Sequence, residues 1–358
     1  MGLLSRLWGL VSAPAPVVRV PVAPTQPVVA PPALVAPPRP QAQEPGQEPE
    51  RECTSHRASD ADLAAALQHD LRCRAQRLLE SLTHEPDLAY VVQALSEEIA
   101  DALPQIPAAA QAGLALTVDA NVQVQDLVRV FERDPSLAQA LLKTANSSYY
   151  CSASPCTSID KAVVKLGRRG LRNVLLNQLM QGLVCRPGAA FGDMPREVWS
   201  HMSESAPLAR RLAPGFGGNP EEAFALALLH DAGKLVLFEA ASAARRKRRR
   251  EVCVDDPTKI AACLDLLHEP LGGLAVFTWG FGPEVARVVA NHHRHPPPQQ
   301  PSPLSEAVFL ADAIQLAGDV NSLGLEALWA RGRLSGSPVR VEELPTDTWS
   351  RRAIVARS

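Results

Sequence analysis

Almost no segment of this chain alternates apolar and polar residues at period two, whereas apolar residues three and four apart recur from residue 59 to residue 317. A half-buried strand needs the first pattern and one face of a helix needs the second, so the expected fold is all-α. Leu63, Leu67 and Leu71 draw one helical face; Leu88, Val92, Leu95 and Ile99 draw another; Leu137, Leu141 and Leu142 draw a third. Punctuation agrees with the period. Asp134-Pro135 sets a capping side chain before a proline at the first helical position, and Ser158 precedes a face made by Ile159, Val163 and Leu166. Gly167 is read as the stop of that helix, and Leu103-Pro104 as the end of an earlier one. Later helices are expected over 199–212, 221–240, 258–279, 283–292 and 304–317.

Residues 14–50 differ in texture. Twelve of the 32 prolines fall in the first 50 residues, and proline at that density removes backbone donors and fixes φ, so neither a helix nor a central strand can form there. The expectation is a disordered, partly polyproline tail over 1–58. A helical lead-in at 59–102, a main domain at 103–300 and a helical or loose extension at 301–358 follow it. The opening MGLLSRLWGLVSA is broken by Ser5, Arg6 and Gly9, and no secretory signal is expected from it. No run of about 18 consecutive apolar residues is present, so no segment is expected to span a bilayer.

Charge and cysteine usage narrow the function classes. With 36 basic against 38 acidic residues the formal charge is −2, without the basic excess of a general nucleic-acid binder. Aromatics at 4% argue against a base-stacking platform. Seven cysteines make an odd set with no CxxC, which fits free thiols in a reducing compartment, hence the cytoplasm.

Six of the nine histidines lie between His201 and His295. Within them His230 and Asp231 are adjacent, and an imidazole beside a carboxylate at a helix turn can serve one metal or bridge two. His201 precedes the pair; His268, the doublet His292-His293 and Asp312 follow it. The landmarks around these residues are LPQIP, RDPSLAQALLKTANSSYY, SIDKAVVKLGRRGLRN, EVWSH and ALLHDAGKLVLF. In this order, over residues 103–300, they resemble the HDOD family, a relative of the HD-domain phosphohydrolases found in bacterial signalling proteins.

That resemblance implies a compact multi-helix HDOD/HD-like domain used in regulation, often without catalysis. It also implies where metal could sit. His201, His230, Asp231, His268, His292, His293 and Asp312 look like the ligand positions of HD-type phosphohydrolases for a divalent metal such as Fe, Mn or Zn. Lys234 resembles a lysine that faces the substrate phosphate in the HD-GYP branch. The chain departs from that branch after the His doublet, where it reads Arg294-His295-Pro296-Pro297-Pro298 in place of an acidic residue and a Gly-Tyr-Pro loop. The branch's upstream glutamate also lacks a clear counterpart. The expected function is therefore a signalling scaffold that binds a protein partner or a nucleotide signal, with metal-dependent phosphohydrolysis through His201, His230 and Asp231 as the alternative.

Three other features have bland readings. Arg168, Arg169 and Arg172 beside Gly167 could read DNA from a helix-turn-helix, but a packed helix–helix joint is the expectation. Six consecutive cations, Arg245 to Arg250, are read as a solvated surface. Trp199 and Trp279 are read as core.

Overall fold

The computed structural model describes residues 60–317, apart from short stretches or single positions within 98–107, 119–120, 151–154, 185–190, 249–255 and 294–301, and then residues 329–335 except 331. The proline-rich tail lies outside the described residues, as do Arg249 and Arg250 of the basic run. The described residues form helices and turns, with no strand among them.

Helices α1 (Asp60–Ser81) and α2 (Pro86–Glu97) come first. Helices α3 (Ala108–Val118), α4 (Val124–Glu132) and α5 (Pro135–Ala145) all pack on the long α6 (Ile159–Val184). The remaining helices are α7 (Met194–Leu212), α8 (Pro220–Leu229), α9 (Ala232–Arg248), α10 (Pro257–Thr278), α11 (Pro283–Val289) and α12 (Pro303–Ala317). Helix α7 lies between α8 and α12, and α10 is wrapped by α1, α9 and α11. Helix α10 is the one described helix apolar and long enough to cross a membrane (Thr258–Thr278), and most of that span is buried inside the fold.

Local signals in the sequence act as expected. The Asp134 carboxylate accepts from the Ser136 and Leu137 amides and starts α5. Asn146 ends α5 by gripping the Cys156 backbone in both directions, donating to its carbonyl at 2.8 Å and accepting from its amide at 2.7 Å. Helices α1 and α2 are not loose: Leu71, Leu88, Val92 and Leu95 are fully buried, each worth roughly 1.5–3 kcal/mol of apolar burial, against α10 and α9.

As expected, Gly167 stops the helix that begins at Ile159. Its φ of 61° and ψ of 176° are non-helical, a backbone state that glycine enters without a Cβ penalty. A second helix runs on across the kink, and the two together make up α6. The arginines beside it are committed to packing. Arg168 donates to the Val122 carbonyl at 3.0 Å, Arg169 pairs with Glu222, and Arg172 lies over the Phe281 ring. The basic run is in part an attachment. Arg246 pairs with Glu239, and Arg248 pairs with Asp87 of α2 while covering Tyr90. Trp279 is core, its indole N–H donating to the Pro104 carbonyl, and Trp199 is partly buried against that core.

One departure from the helical period matters more. Residues 221–240 read as one helix, yet α8 ends at Leu229 and α9 starts at Ala232, with His230-Asp231 as the turn between them. Both flanks are buried nearly all round, including Leu226, Leu228, Leu229, Leu235 and Val236, so an apolar period cannot register the break. Its cause is a crossing of backbones. A Cβ on Gly233 would fall inside the His268 carbonyl of α10, and Gly272 faces Gly233 from the other side.

Candidate metal centre

The Gly233 crossing brings the first turn of α9 onto the middle of α10, and with it Asp231 onto His268. Helix α11 then closes on α10 where Gly273 meets Ala290, which delivers His292 and His293. Helix α7 supplies His201 and α12 supplies Asp312. All seven residues expected as ligands are thus drawn together from three helices and two turns.

Three imidazoles are set by their own backbones. Nδ1 of His230 lies 2.6 Å from the Ala227 carbonyl, Nδ1 of His268 2.6 Å from Leu264 O, and Nδ1 of His292 2.8 Å from Val289 O. A carbonyl only accepts, so each Nδ1 carries a proton, and each ring in its neutral form turns the Nε2 lone pair inward. This is the backbone carbonyl arrangement that fixes tautomer and aim in metal-binding histidines.

Asp231 sits between two sets of donors. Its Oδ2 is 3.5 Å from His230 Nε2 and 3.8 Å from His201 Nε2; its Oδ1 is 3.7 Å from His268 Nε2 and 3.6 Å from His292 Nε2. On the first side His201 Nε2 approaches His230 Nε2 at 3.1 Å and Asp312 Oδ1 at 2.9 Å. On the second, His268 Nε2 faces His293 Nε2 at 3.0 Å. Asp312 links the two, its Oδ2 lying 3.4 Å from His293 Nδ1. His201–His230–Asp312, His230–Asp231–His292 and His268–His292–His293 each bring three ligand atoms within 4.8 Å of one another.

Two buried carboxylates face one buried cation, Lys234, whose Nζ is 2.7 Å from Asp231 Oδ2 with both side chains 1% exposed. Burial alone would push both carboxyls up, yet Lys234 and the surrounding histidines hold Asp231 well below the usual range. His201, His230 and His293 do the same for Asp312. Burial lowers His268 and His292 well below the usual histidine range, helped by Lys234 at the first and His293 at the second. His230 and His293 go up despite burial, because Asp231 and Asp312 outweigh it at the first and Asp312 at the second. Ionised carboxylates and neutral imidazoles are the ligating forms.

The donor set fits a divalent metal on two counts. Asp231 Oδ1 and His292 Nε2 are fully buried without a hydrogen-bond partner, a cost of about 1–3 kcal/mol each if nothing coordinates them. Two buried carboxylates, Asp231 and Asp312, are also of the kind a cation offsets. A mixed imidazole and carboxylate set suits Zn, Mn or Fe.

Lys234 is more enclosed than a phosphate-facing lysine would be, since its ammonium is engaged with Asp231. One acidic residue had no counterpart in the sequence reading. Glu197 lies one helical turn before His201 on α7, and its Oε2 is buried without a partner. The spacing of four was visible in the sequence, but only burial separates it from an ordinary surface pair.

Helices wrapped around a buried histidine–aspartate set define an HD-type bundle. The chain belongs to the HDOD domain family, whose model matches residues 103–295; Asp312 lies beyond that match. Its fold is similar to that of a candidate metal-dependent phosphohydrolase from Shewanella amazonensis SB2B, with a TM-score of 0.59 and 21% identity over 74% of this chain and 95% of the other. It is also similar to a candidate signal transduction protein from Marinobacter aquaeolei VT8, with a TM-score of 0.51 and 22% identity over 83% and 67% of the two chains. An uncharacterized protein of Treponema pallidum (strain Nichols) is 26% identical over 219 residues, 59% of this chain and 42% of the relative. The chain therefore spans less than half the length of that curated relative.

Proposed function

We propose that this protein is a metal-dependent phosphohydrolase that acts on a phosphoester in signal transduction. The observation that carries the reading is the convergence of two histidine-rich donor sets on the two oxygens of Asp231, with Asp231 Oδ1 and His292 Nε2 left without hydrogen-bond partners. His201, His230, Asp231 and Asp312 would hold metal on one side, and Asp231, His268, His292 and His293 on the other. A bound divalent metal would supply a water of lowered pKa and neutralise charge on phosphoryl oxygens.

The chain's own groups have separable tasks. Asp231 bridges the two donor sets, and Lys234 holds it in place and offsets part of its charge. The Ala227, Leu264 and Val289 carbonyls keep three rings in register. His201 and His293 are the most open ligands, with side chains 12% and 23% exposed, so a phosphoester would approach from their side while the rest of the set excludes water. Cys73, Cys156 and Cys263 are unpaired, which supports a reducing, cytoplasmic setting.

Burial of the same set supports a second reading. Closed sites are typical of structural metals, and a metal-held scaffold binding a protein partner or a nucleotide signal would need no turnover. Hydrolysis of bis(4-nitrophenyl) phosphate and of cyclic dinucleotides, by protein loaded with Mn, Fe or Zn, separates the two. Metal-dependent turnover that disappears in His292→Ala supports the enzyme. Stoichiometric metal without turnover of any phosphoester tried overturns it in favour of the scaffold.

A further inference from the structure

Pro270 lies inside α10, two residues after His268. Proline has no amide hydrogen, so the carbonyl four residues earlier, on Leu266, loses its helical donor. The replacement comes from a different helix. Arg74 of α1 donates Nη1 to Leu266 O at 3.2 Å, and the same nitrogen lies 3.4 Å from Glu269 Oε2. The other oxygen of that carboxylate, Oε1, accepts the backbone amide of His293 at 3.3 Å. Asp70, one turn before Arg74, grips the guanidinium with both oxygens at 3.0 and 2.9 Å. Glu269 is only 6% exposed, so its carboxylate depends on these two partners.

From these contacts we infer that Arg74 and Glu269 form a relay through which the docking of α1 positions His293, and so sets the affinity of the His268–His292–His293 half of the centre. The inference rests on the metal-binding part of the reading above. Helix α1 lies outside the family segment of 103–295 and joins the proline-rich N-terminal residues to the domain. A partner that pulled on those residues would act first on α1, and through Arg74 first on the His293 half of the site. Among the bonds described, Arg74 and Glu269 touch none of His201, His230 and Asp312, and the relay reaches that half only through the Asp312–His293 contact. Linkage makes the coupling mutual: metal on the His293 half would hold α1 down as much as α1 holds the metal.

The test titrates manganese(II) into chelator-stripped full-length protein and follows amide hydrogen exchange by mass spectrometry. The variants are wild type, Arg74→Met, and Glu269→Gln, which keeps an acceptor for the His293 amide. Wild type should take up two equivalents. Arg74→Met should weaken one of them about tenfold, the size of effect common for groups that orient metal ligands, and leave the other within about twofold. Exchange across residues 291–293 should quicken in the same variant, and metal should slow exchange in α1 of wild type but not of Arg74→Met. Glu269→Gln should fall between the two, and it stands in as the test variant should Arg74→Met not fold. Two equivalents bound by both variants as in wild type, or unchanged exchange at 291–293, overturns the relay. Should wild type take up no metal, the metal-centre reading fails, and the exchange comparison still decides whether α1 controls His293.

Discussion

Two breaks in the helical rhythm of this chain, one marked in the sequence and one hidden in it, differ in kind once folded. At Gly167 two helices meet within α6, and several polar side chains around the joint find partners in the backbone: Arg168 on Val122, Lys165 on Ala145, Asn146 on Cys156. At His230-Asp231 the break between α8 and α9 does the opposite. It gathers seven ionisable side chains from distant parts of the chain and leaves ligand atoms of Asp231 and His292 buried without partners. Folding tolerates few such orphans. A joint that satisfies its polar groups is architecture, and a joint that concentrates unsatisfied ones is prepared for a ligand.

Glycine substitutions break the comparison most directly. Gly233→Ala puts a methyl group into the His268 carbonyl, so the two helices must part, and a loss above about 4 kcal/mol is expected. Gly167→Ala meets open space and suffers only from its positive φ, at about 1–3 kcal/mol. Denaturant unfolding of both variants measures the difference, and equal losses would mean that the α9–α10 crossing is not close.

A smaller effect separates charge from shape. Asp231→Asn leaves the Lys234 ammonium buried without its counter-charge, and breaking such a pair costs about 3–5 kcal/mol. Adding Lys234→Met should recover most of that stability in the metal-free protein while leaving metal binding lost. No recovery would show that Lys234 is stabilised by its other contacts rather than by Asp231.

The smallest effect is a pH dependence of the metal-free protein. His268 and His292 have folded pKa values well below the usual one, so the fold favours their neutral forms. Their stabilising contribution is present above the unfolded value of about 6.5 and declines as pH falls through that value. Asp231 and Asp312 are depressed too, and their contribution is lost further down, below about pH 4. His230 and His293 are raised, although less strongly, so their contribution is complete below about 6.5 and is lost as pH rises through their folded values. The larger depressions govern, and the melting temperature of chelator-stripped protein should drop between pH 7 and pH 5. A flat profile would place the buried histidines in water.

Much of this was legible before any coordinates. Helix positions followed from period and caps, because both are local properties: Asp134-Pro135 and Ser158 act at their own helix starts. The set of residues that the fold gathers was legible from the adjacency of His230 and Asp231 and from the order of landmarks. What the sequence hid is long-range. Nothing near Gly233 says that another backbone crosses there, and nothing near Pro270 says that an arginine almost 200 residues earlier takes the place of its missing amide. Glu197 was hidden for a different reason, since a glutamate four residues before a histidine is ordinary on any exposed helix. Lys234 matched a family position, but sequence could not show that its ammonium is engaged with Asp231.

The central claim is that the His230-Asp231 joint holds metal. Elemental analysis of protein purified without chelator, beside a His230→Ala control of matched helical circular dichroism, tests it directly. The account predicts near-stoichiometric Fe, Mn or Zn in the wild type and a clear loss of that metal in the control. Metal-free wild type, still empty after reconstitution with each of the three ions, would contradict it and leave the cluster as a buried polar network without a ligand.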